Sequence, residues 1–213
     1  MTKITQITEN KKNKERVSLF SDGEFLLSCH KELVVKKRLV PGMEVDVELL
    51  REMAREDEYL KAKDTALRAL ELSYKTEKEI EDKLRVKEYD ERVIQRVMTF
   101  LAEYRLVDDQ RYVELFAKEK LRSRGIRKVQ YELQAKGIDK ETFHEVLENL
   151  DTQSLEEETC KKLAEKKYAQ LQKREPDAYK LKTKLFAFLS GKGYEYDMIQ
   201  RIVRQVTGAD LET

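Results

Sequence analysis

Two cysteines, two histidines, two prolines and no tryptophan occur in 213 residues. Cys29 and Cys160 lie in unrelated segments and are too few for a disulfide framework, so free thiols in a reducing cytoplasm are expected. His30 stands beside Cys29 but far from His144, which makes no metal-ligand set. No apolar run approaches the roughly 20 residues of a membrane span, and the N-terminus has no signal-peptide core. A surplus of one charge is also missing. With 43 basic residues against 42 acidic ones there is no polybasic coat, so a surface for anions must arise from local clustering. Enzyme motifs are absent as well: Gly191-Lys192-Gly193 lacks the upstream glycine and the following Ser or Thr of a phosphate-cradling loop. No acid, base and nucleophile set is grouped anywhere. The expectation is a chain without catalysis, cofactor, metal or membrane.

Charged residues make up 40% and glycines number only 7, a helix-rich composition. Within it one pattern is written three times, over 76–97, 124–146 and 180–202. Ile80, Leu84, Tyr89, Asp90, Ile94 and Val97 correspond to Val129, Leu133, Ile138, Asp139, Phe143 and Val146, then to Leu185, Leu189, Tyr194, Glu195, Ile199 and Ile202. An apolar pair four apart marks one helix face, and the apolar pair after the acidic position begins a second helix. Asp90 and Asp139 are good N-caps; Glu195 is a poorer one, for which Asp197 is an alternative. The residue before each cap and the one four after it are apolar in all three copies, a hydrophobic staple that fixes the angle of chain entry. Lys87, Lys136 and Lys192 end the preceding helices, followed by Glu88, Gly137 and Gly193. Glycine suits a left-handed position, so the first copy turns with strain or turns differently.

The first ~50 residues differ in kind. Val17–Phe20 and Phe25–Cys29 flank Asp22-Gly23, a hairpin signal, and Lys3–Thr8 could supply a third strand. A short helix near Lys31–Arg38 and a turn at Pro41-Gly42 follow. A long helix then runs to about Ser73, with a possible break at 55–58. The equivalent helix of the second copy is predicted at Gln110–Ser123 with Asp109 as N-cap, and that of the third from Leu155 to about Lys173, before Pro176. The predicted architecture is mostly α: a β-rich extension (1–45) and three-helix repeats 1 (46–107), 2 (108–150) and 3 (151–213), stacked as an elongated curved array.

Positive charge gathers once. Lys118, Lys120, Arg122, Arg124, Arg127 and Lys128 are opposed within their run only by Glu119, around the start of a helix near Gly125. Free N–H groups at such a start favour anions, either carboxylates or phosphates. Lys180, Lys182 and Lys184 mark the matching corner of repeat 3, whereas repeat 1 carries Thr76-Glu77-Lys78-Glu79, a self-satisfying capping box. Solvated basic turns would look the same in sequence. Tyr112, Phe116 and Tyr131 are at helical spacing and are read as core.

Leu106-Val107-Asp108-Asp109-Gln110-Arg111-Tyr112, then Phe116-Ala117, the basic run to Arg124-Gly125-Ile126, and Glu132-Leu133-Gln134-Ala135-Lys136-Gly137-Ile138 resemble the RecX regulators of the bacterial RecA recombinase. The resemblance spans roughly Asp57 to Val206, and the β-rich start is similar to an extension of some members. Glu88 departs from the glycine of repeats 2 and 3. What the resemblance implies is a regulator, sufficient as a monomer, that binds the RecA–DNA filament. Such a regulator would suppress filament growth, ATP hydrolysis and strand exchange in recombination and the SOS response, in some members with contacts to single- or double-stranded DNA. The rival reading is a direct DNA-binding regulator of three-helix units. Against it, no second helix of a repeat carries a base-reading set of Arg, Asn and Gln on one face.

Overall fold

The computed structural model describes residues 1–150 and 152–208. They form two compact units, Met1–Tyr74 with Ile80–Leu106, and Lys75–Glu79 with the chain from Val107 onward.

The first unit opens with β1 (Thr2–Lys3), β2 (Gln6–Asn10), β3 (Asn13–Ser21), β4 (Glu24–His30), α1 (Lys31–Lys36) and β5 (Glu44–Val45). β2, β3 and β4 make an antiparallel sheet in that order, and β1 pairs antiparallel with β5. The expected strand over Lys3–Thr8 is therefore two strands in two sheets. They divide at the fully buried Ile4, whose N–H donates to Met43 O at 2.9 Å. Asp22 (φ 48°) and Gly23 (φ 84°) turn the β3–β4 hairpin with both central residues left-handed, the geometry that matches strand twist.

Beneath the sheet runs α2 (Val47–Leu72), capped by Asp46, whose side chain accepts from Leu49 N. No break occurs at 55–58, because Asp57 faces the sheet rather than water. Both Asp57 carboxylate oxygens accept from Arg16 at 2.9 Å, one also accepts the His30 N–H at 2.8 Å, and Lys61 Nζ lies 2.8 Å away. Burial opposes ionisation there, yet these four donors hold the Asp57 carboxyl below the usual carboxylate range. Around them Ile4, Val17, Leu19, Cys29, Leu33, Leu39, Val45 and Met53 form the core of the extension. Farther along α2, the buried Ala62, Ala66 and Ala69 lie at one-turn spacing and leave room for close helix approach. α3 (Glu77–Val86) and α4 (Glu91–Glu103) complete repeat 1 with buried Ile80, Leu84, Ile94, Val97 and Leu101. The first turn of α3 belongs to the second unit.

The second unit continues with α5 (Asp109–Lys120), α6 (Ile126–Ala135) and α7 (Lys140–Glu148), then α8 (Thr152–Gln172), α9 (Ala178–Gly191) and α10 (Tyr196–Thr207). Val113, Ala117, Leu121, Val129, Leu133, Ile138 and Phe143 are the core of repeat 2; Cys160, Ala164, Leu185, Leu189, Tyr194, Ile199, Ile202 and Val203 lie in that of repeat 3. The repeated apolar positions are thus buried, with Tyr89 and Val146 at the margins. Asp90 and Asp139 cap α4 and α7, while Glu195 precedes α10 without a side-chain bond and Asp197 lies within its first turn. Glu88 takes φ 60°, so repeat 1 makes the same left-handed turn as Gly137 (φ 92°) and Gly193 (φ 89°), against a β-carbon clash.

Among the described residues no helix is long and apolar enough to cross a membrane, and no group of three potential metal ligands occurs.

Candidate functional site: two joints and a basic corner

A helix start exposes N–H groups that need acceptors, and a helix end exposes carbonyls that need donors. In the second unit these needs meet. At the start of α3, Thr76 Oγ1 donates to Lys136 O at 2.7 Å and the Glu77 N–H to Asp109 Oδ1 at 3.0 Å. At the start of α6, 49 residues on, the Gly125 N–H donates to Lys192 O at 2.9 Å and the Ile126 N–H to Glu156 Oε1 at 2.8 Å. The Arg127 N–H adds Gly193 O at 3.2 Å. Each joint therefore seats the end of one repeat's middle helix on the start of the preceding one, with a carboxylate from the following repeat's first helix as the cap.

The glycines are needed for space as well as conformation. A β-carbon on Gly137 would lie 2.4 Å from Lys78 Cβ, and one on Gly193 2.4 Å from Lys128 Cβ; on Gly125 it would meet Gly193 O at 2.3 Å. Asp109 was predicted as the cap of α5, but Asp108 takes that place, accepting from Arg111 N at 2.8 Å. Asp109 is freed for the joint. Burial pushes its carboxyl up, and burial does the same to Glu156, against the Ile126 N–H and reinforced by Glu195. Thr76 and Glu79 form the expected capping box, with Glu79 N donating to Thr76 Oγ1 at 3.2 Å and Thr76 N to Glu79 Oε2 at 3.1 Å. Lys136 Nζ reaches the same carboxylate at 2.5 Å.

The second joint lies inside the basic corner predicted from sequence, and it changes what that corner can do. The α6 start offers no bare N–H groups to an anion, because the neighbouring repeat occupies those of Gly125, Ile126 and Arg127. Binding there has to use side chains. Arg124 pairs with Glu132, Arg127 Nε lies 3.6 Å from Glu195, and Lys128 Nζ reaches Gly191 O at 3.4 Å. At the end of α5, Lys118 and Lys120 pair with Glu114 at 2.5 Å and Glu119 at 2.7 Å. Arg122 is exposed and forms no salt bridge among the described residues. On α9, Lys184 pairs with Glu175 at 2.6 Å, and Lys182 is also on this helix. The exposed pairs among these, those of Lys118 and Arg127, are weak, each contributing about 0–1 kcal/mol, so these cations remain exchangeable toward a stronger anion, whereas Arg124 and Glu132 are half-buried.

The second helix corner of repeat 3 is not equivalent to that of repeat 2. α9 starts a turn earlier, capped by Asp177, which accepts from Tyr179 N at 2.9 Å and Lys180 N at 3.1 Å. Position 181 is thus helix interior, with its N–H on Asp177 O. The aromatic reading also needs correction: Tyr112 and Phe116 stack, partly buried against the repeat 2 core, but Tyr131 is 73% exposed. Its one-turn spacing from Arg127 is a surface spacing, on the side of α6 away from Val129 and Leu133.

Comparison with known proteins gives one family throughout. Family models match residues 2–46 (regulatory protein RecX N-terminal domain) and residues 62–101, 108–147 and 155–203 (RecX first, second and third three-helix domains). A regulatory protein RecX of Clostridium perfringens (strain 13 / Type A) is 44% identical over 97% of both chains. One of Clostridium beijerinckii is 42% identical over 100% of this chain and 99% of that one. A crystal structure of RecX from Lactobacillus salivarius, 28% identical, superposes with a TM-score of 0.65 over 72% of this chain and 99% of that one. Another crystal structure of regulatory protein RecX, 24% identical, shares the fold with a TM-score of 0.75 over 95% and 98%.

Proposed function

The chain belongs to the RecX family of regulatory proteins, and from that premise we propose that it binds the RecA–DNA filament and restrains it. Bound as a monomer, it suppresses filament growth, ATP hydrolysis and strand exchange in recombination, repair and the SOS response of the cytoplasm. The observation that supports this reading most is the second joint, which gathers Arg124, Arg127 and Lys128 at one corner whose backbone donors are already satisfied. Lys118, Lys120 and Arg122 extend that corner along the end of α5, and Lys182 and Lys184 add charge on α9. A filament presents repeated acidic surfaces on its protomers and phosphates along its DNA. Repeats 2 and 3 bridge successive protomers through these cations, and bridging holds the filament in one state. No cofactor takes part.

Reversing Arg124, Arg127 and Lys128 to Glu is expected to weaken inhibition of the recombinase's DNA-dependent ATPase by roughly tenfold or more, through loss of complementary charge. Helical circular dichroism is expected to stay at the wild-type level. If phosphates are the ligands, the salt slope of filament affinity falls by about one for each contact removed. Unchanged inhibition by the folded triple variant would remove this corner from the interface.

A further inference from the structure

Surface grooves among the described residues differ in the charge that lines them. Those at Glu44, Glu48 and Glu52 and at Glu145 and Glu148 carry carboxylates, and the one at Asp108 and Glu114 sets its carboxylates beside Arg111. The one along α2 mixes both signs. The groove between α6 and the end of α9 is lined by Arg127, Lys128, Tyr131, Ser190, Gly191 and Gly193, with no carboxylate.

Two of these residues are not explained by folding. Tyr131 leaves most of its ring in water while the buried side of α6 is supplied by Val129 and Leu133. Gly191 closes α9 without a left-handed φ, and a β-carbon there would meet nothing within 4 Å. Glycine at a helical position costs about 0.5–1 kcal/mol relative to alanine, and Gly191, unlike Gly193, returns nothing in packing or turn geometry. Its effect is to leave bare backbone on the groove floor, with Lys128 Nζ 3.4 Å from its carbonyl.

We propose that this groove takes an unpaired nucleic-acid strand: a base stacks on Tyr131, its phosphate lies between Arg127 and Lys128, and the sugar-phosphate chain passes over Gly191. Cations alone would suit any anion. An exposed ring one helical turn from Arg127, beside a floor without side chains, suits an anion that carries a flat face, which is the chemistry of single-strand binding. Paired bases are already stacked on one another and offer no such face. Among the described residues the one carboxylate paired with the Arg127 side chain is that of Glu195 at 3.6 Å, an exposed pair that a phosphate can displace. The inference rests on the proposed function in supposing that DNA is near the bound protein, and it assigns to this groove a preference for single strands.

The test is fluorescence anisotropy of the full-length protein with a labelled oligothymidylate and with a hairpin duplex of equal length. Tyr131→Ala is expected to weaken single-strand binding by roughly fivefold or more while leaving duplex binding unchanged. Tyr131→Phe should bind like wild type, Gly191→Val should weaken the single-strand complex, and a joint Arg127→Glu, Lys128→Glu variant should weaken both. Absence of wild-type single-strand binding, or equal losses on both ligands for Tyr131→Ala, would overturn the proposal. So would a wild-type result for that variant, or capture of labelled polyglutamate dependent on the two cations but not on Tyr131, which would assign the groove to acidic protein. ATPase inhibition measured in parallel separates the two readings. If wild-type protein does not inhibit, the proposed function fails; if it inhibits and Tyr131→Ala still binds the oligonucleotide normally, only the groove assignment fails.

Discussion

Asp57 ties the N-terminal extension to α2 as a charge buried together with its partners. Only 3% of it is exposed, and it gathers donors from β3, from the end of β4 and from its own helix. Removing one member of such a set leaves the others buried without a counter-charge. Asp57→Asn is therefore expected to cost about 3 kcal/mol of stability in urea unfolding at neutral pH. The pH dependence has a definite sign. The folded carboxyl titrates below its unfolded value, so its contribution is present above the ordinary Asp range and disappears as pH falls through about 3.9 toward the depressed value. The variant should lose that acid-side slope, and a slope retained in full would show that other carboxylates cause it. Cys29 beside this cluster and Cys160 in repeat 3 are held as thiols, pushed up to about 11 and about 12 chiefly by burial. Neither is poised for redox chemistry.

Helix ends are the elements on which the three repeats differ. Glu88 and Gly193 occupy equivalent turns with similar φ, but the first faces solvent and the second sits against Lys128. Glu88→Gly is expected to stabilise the protein by about 0.5–1 kcal/mol, relief of a left-handed non-glycine residue less the added freedom of the unfolded chain. Gly193→Ala adds a contact at 2.4 Å to the same unfavourable φ and is expected to cost about 2–4 kcal/mol. Thermal unfolding of the two variants checks this pair, and shifts of the same sign would refute it. The turns show how far the sequence could be read. Periodicity found the buried positions of all three repeats because one helix face must be apolar whatever packs against it. It could foresee the positive φ of Gly137 and Gly193, a local demand, but not the neighbour that forbids a β-carbon. It placed Asp109 one residue out of role, since two adjacent aspartates are interchangeable as caps until a second helix claims one of them. In sequence Tyr131 reads as core, because one-turn spacing does not say which side of a helix is covered; in the structure it is exposed.

At the scale of the molecule, what local pattern could not show are the joints, which unite residues such as Thr76 and Lys136, 60 apart, or Ile126 and Glu156, 30 apart. They make the first turn of α6 depend on repeat 3. Hydrogen exchange should reveal this: the amides of Gly125, Ile126 and Arg127 are expected to open together with α9 and α10, not with α5 and α7. Protection that follows repeat 2 alone would mean that the joint opens independently. The basic corner, drawn from a cluster of charge, was legible as a cluster. Its donors were not, since their acceptors lie in another repeat.

Each joint has two unlike halves, an open helix start and a glycine-cornered helix end. Repeat 1 has the first half but carries Glu88 where the second would be; repeat 3 has the second, while the added turn at Asp177 closes its helix start. Repeat 2 alone of the three holds both, at Gly125 and at Gly137. It is the one word in this sentence that can be followed by itself. A chain lengthened by a second copy of the middle repeat would present both halves of a joint at the new boundary.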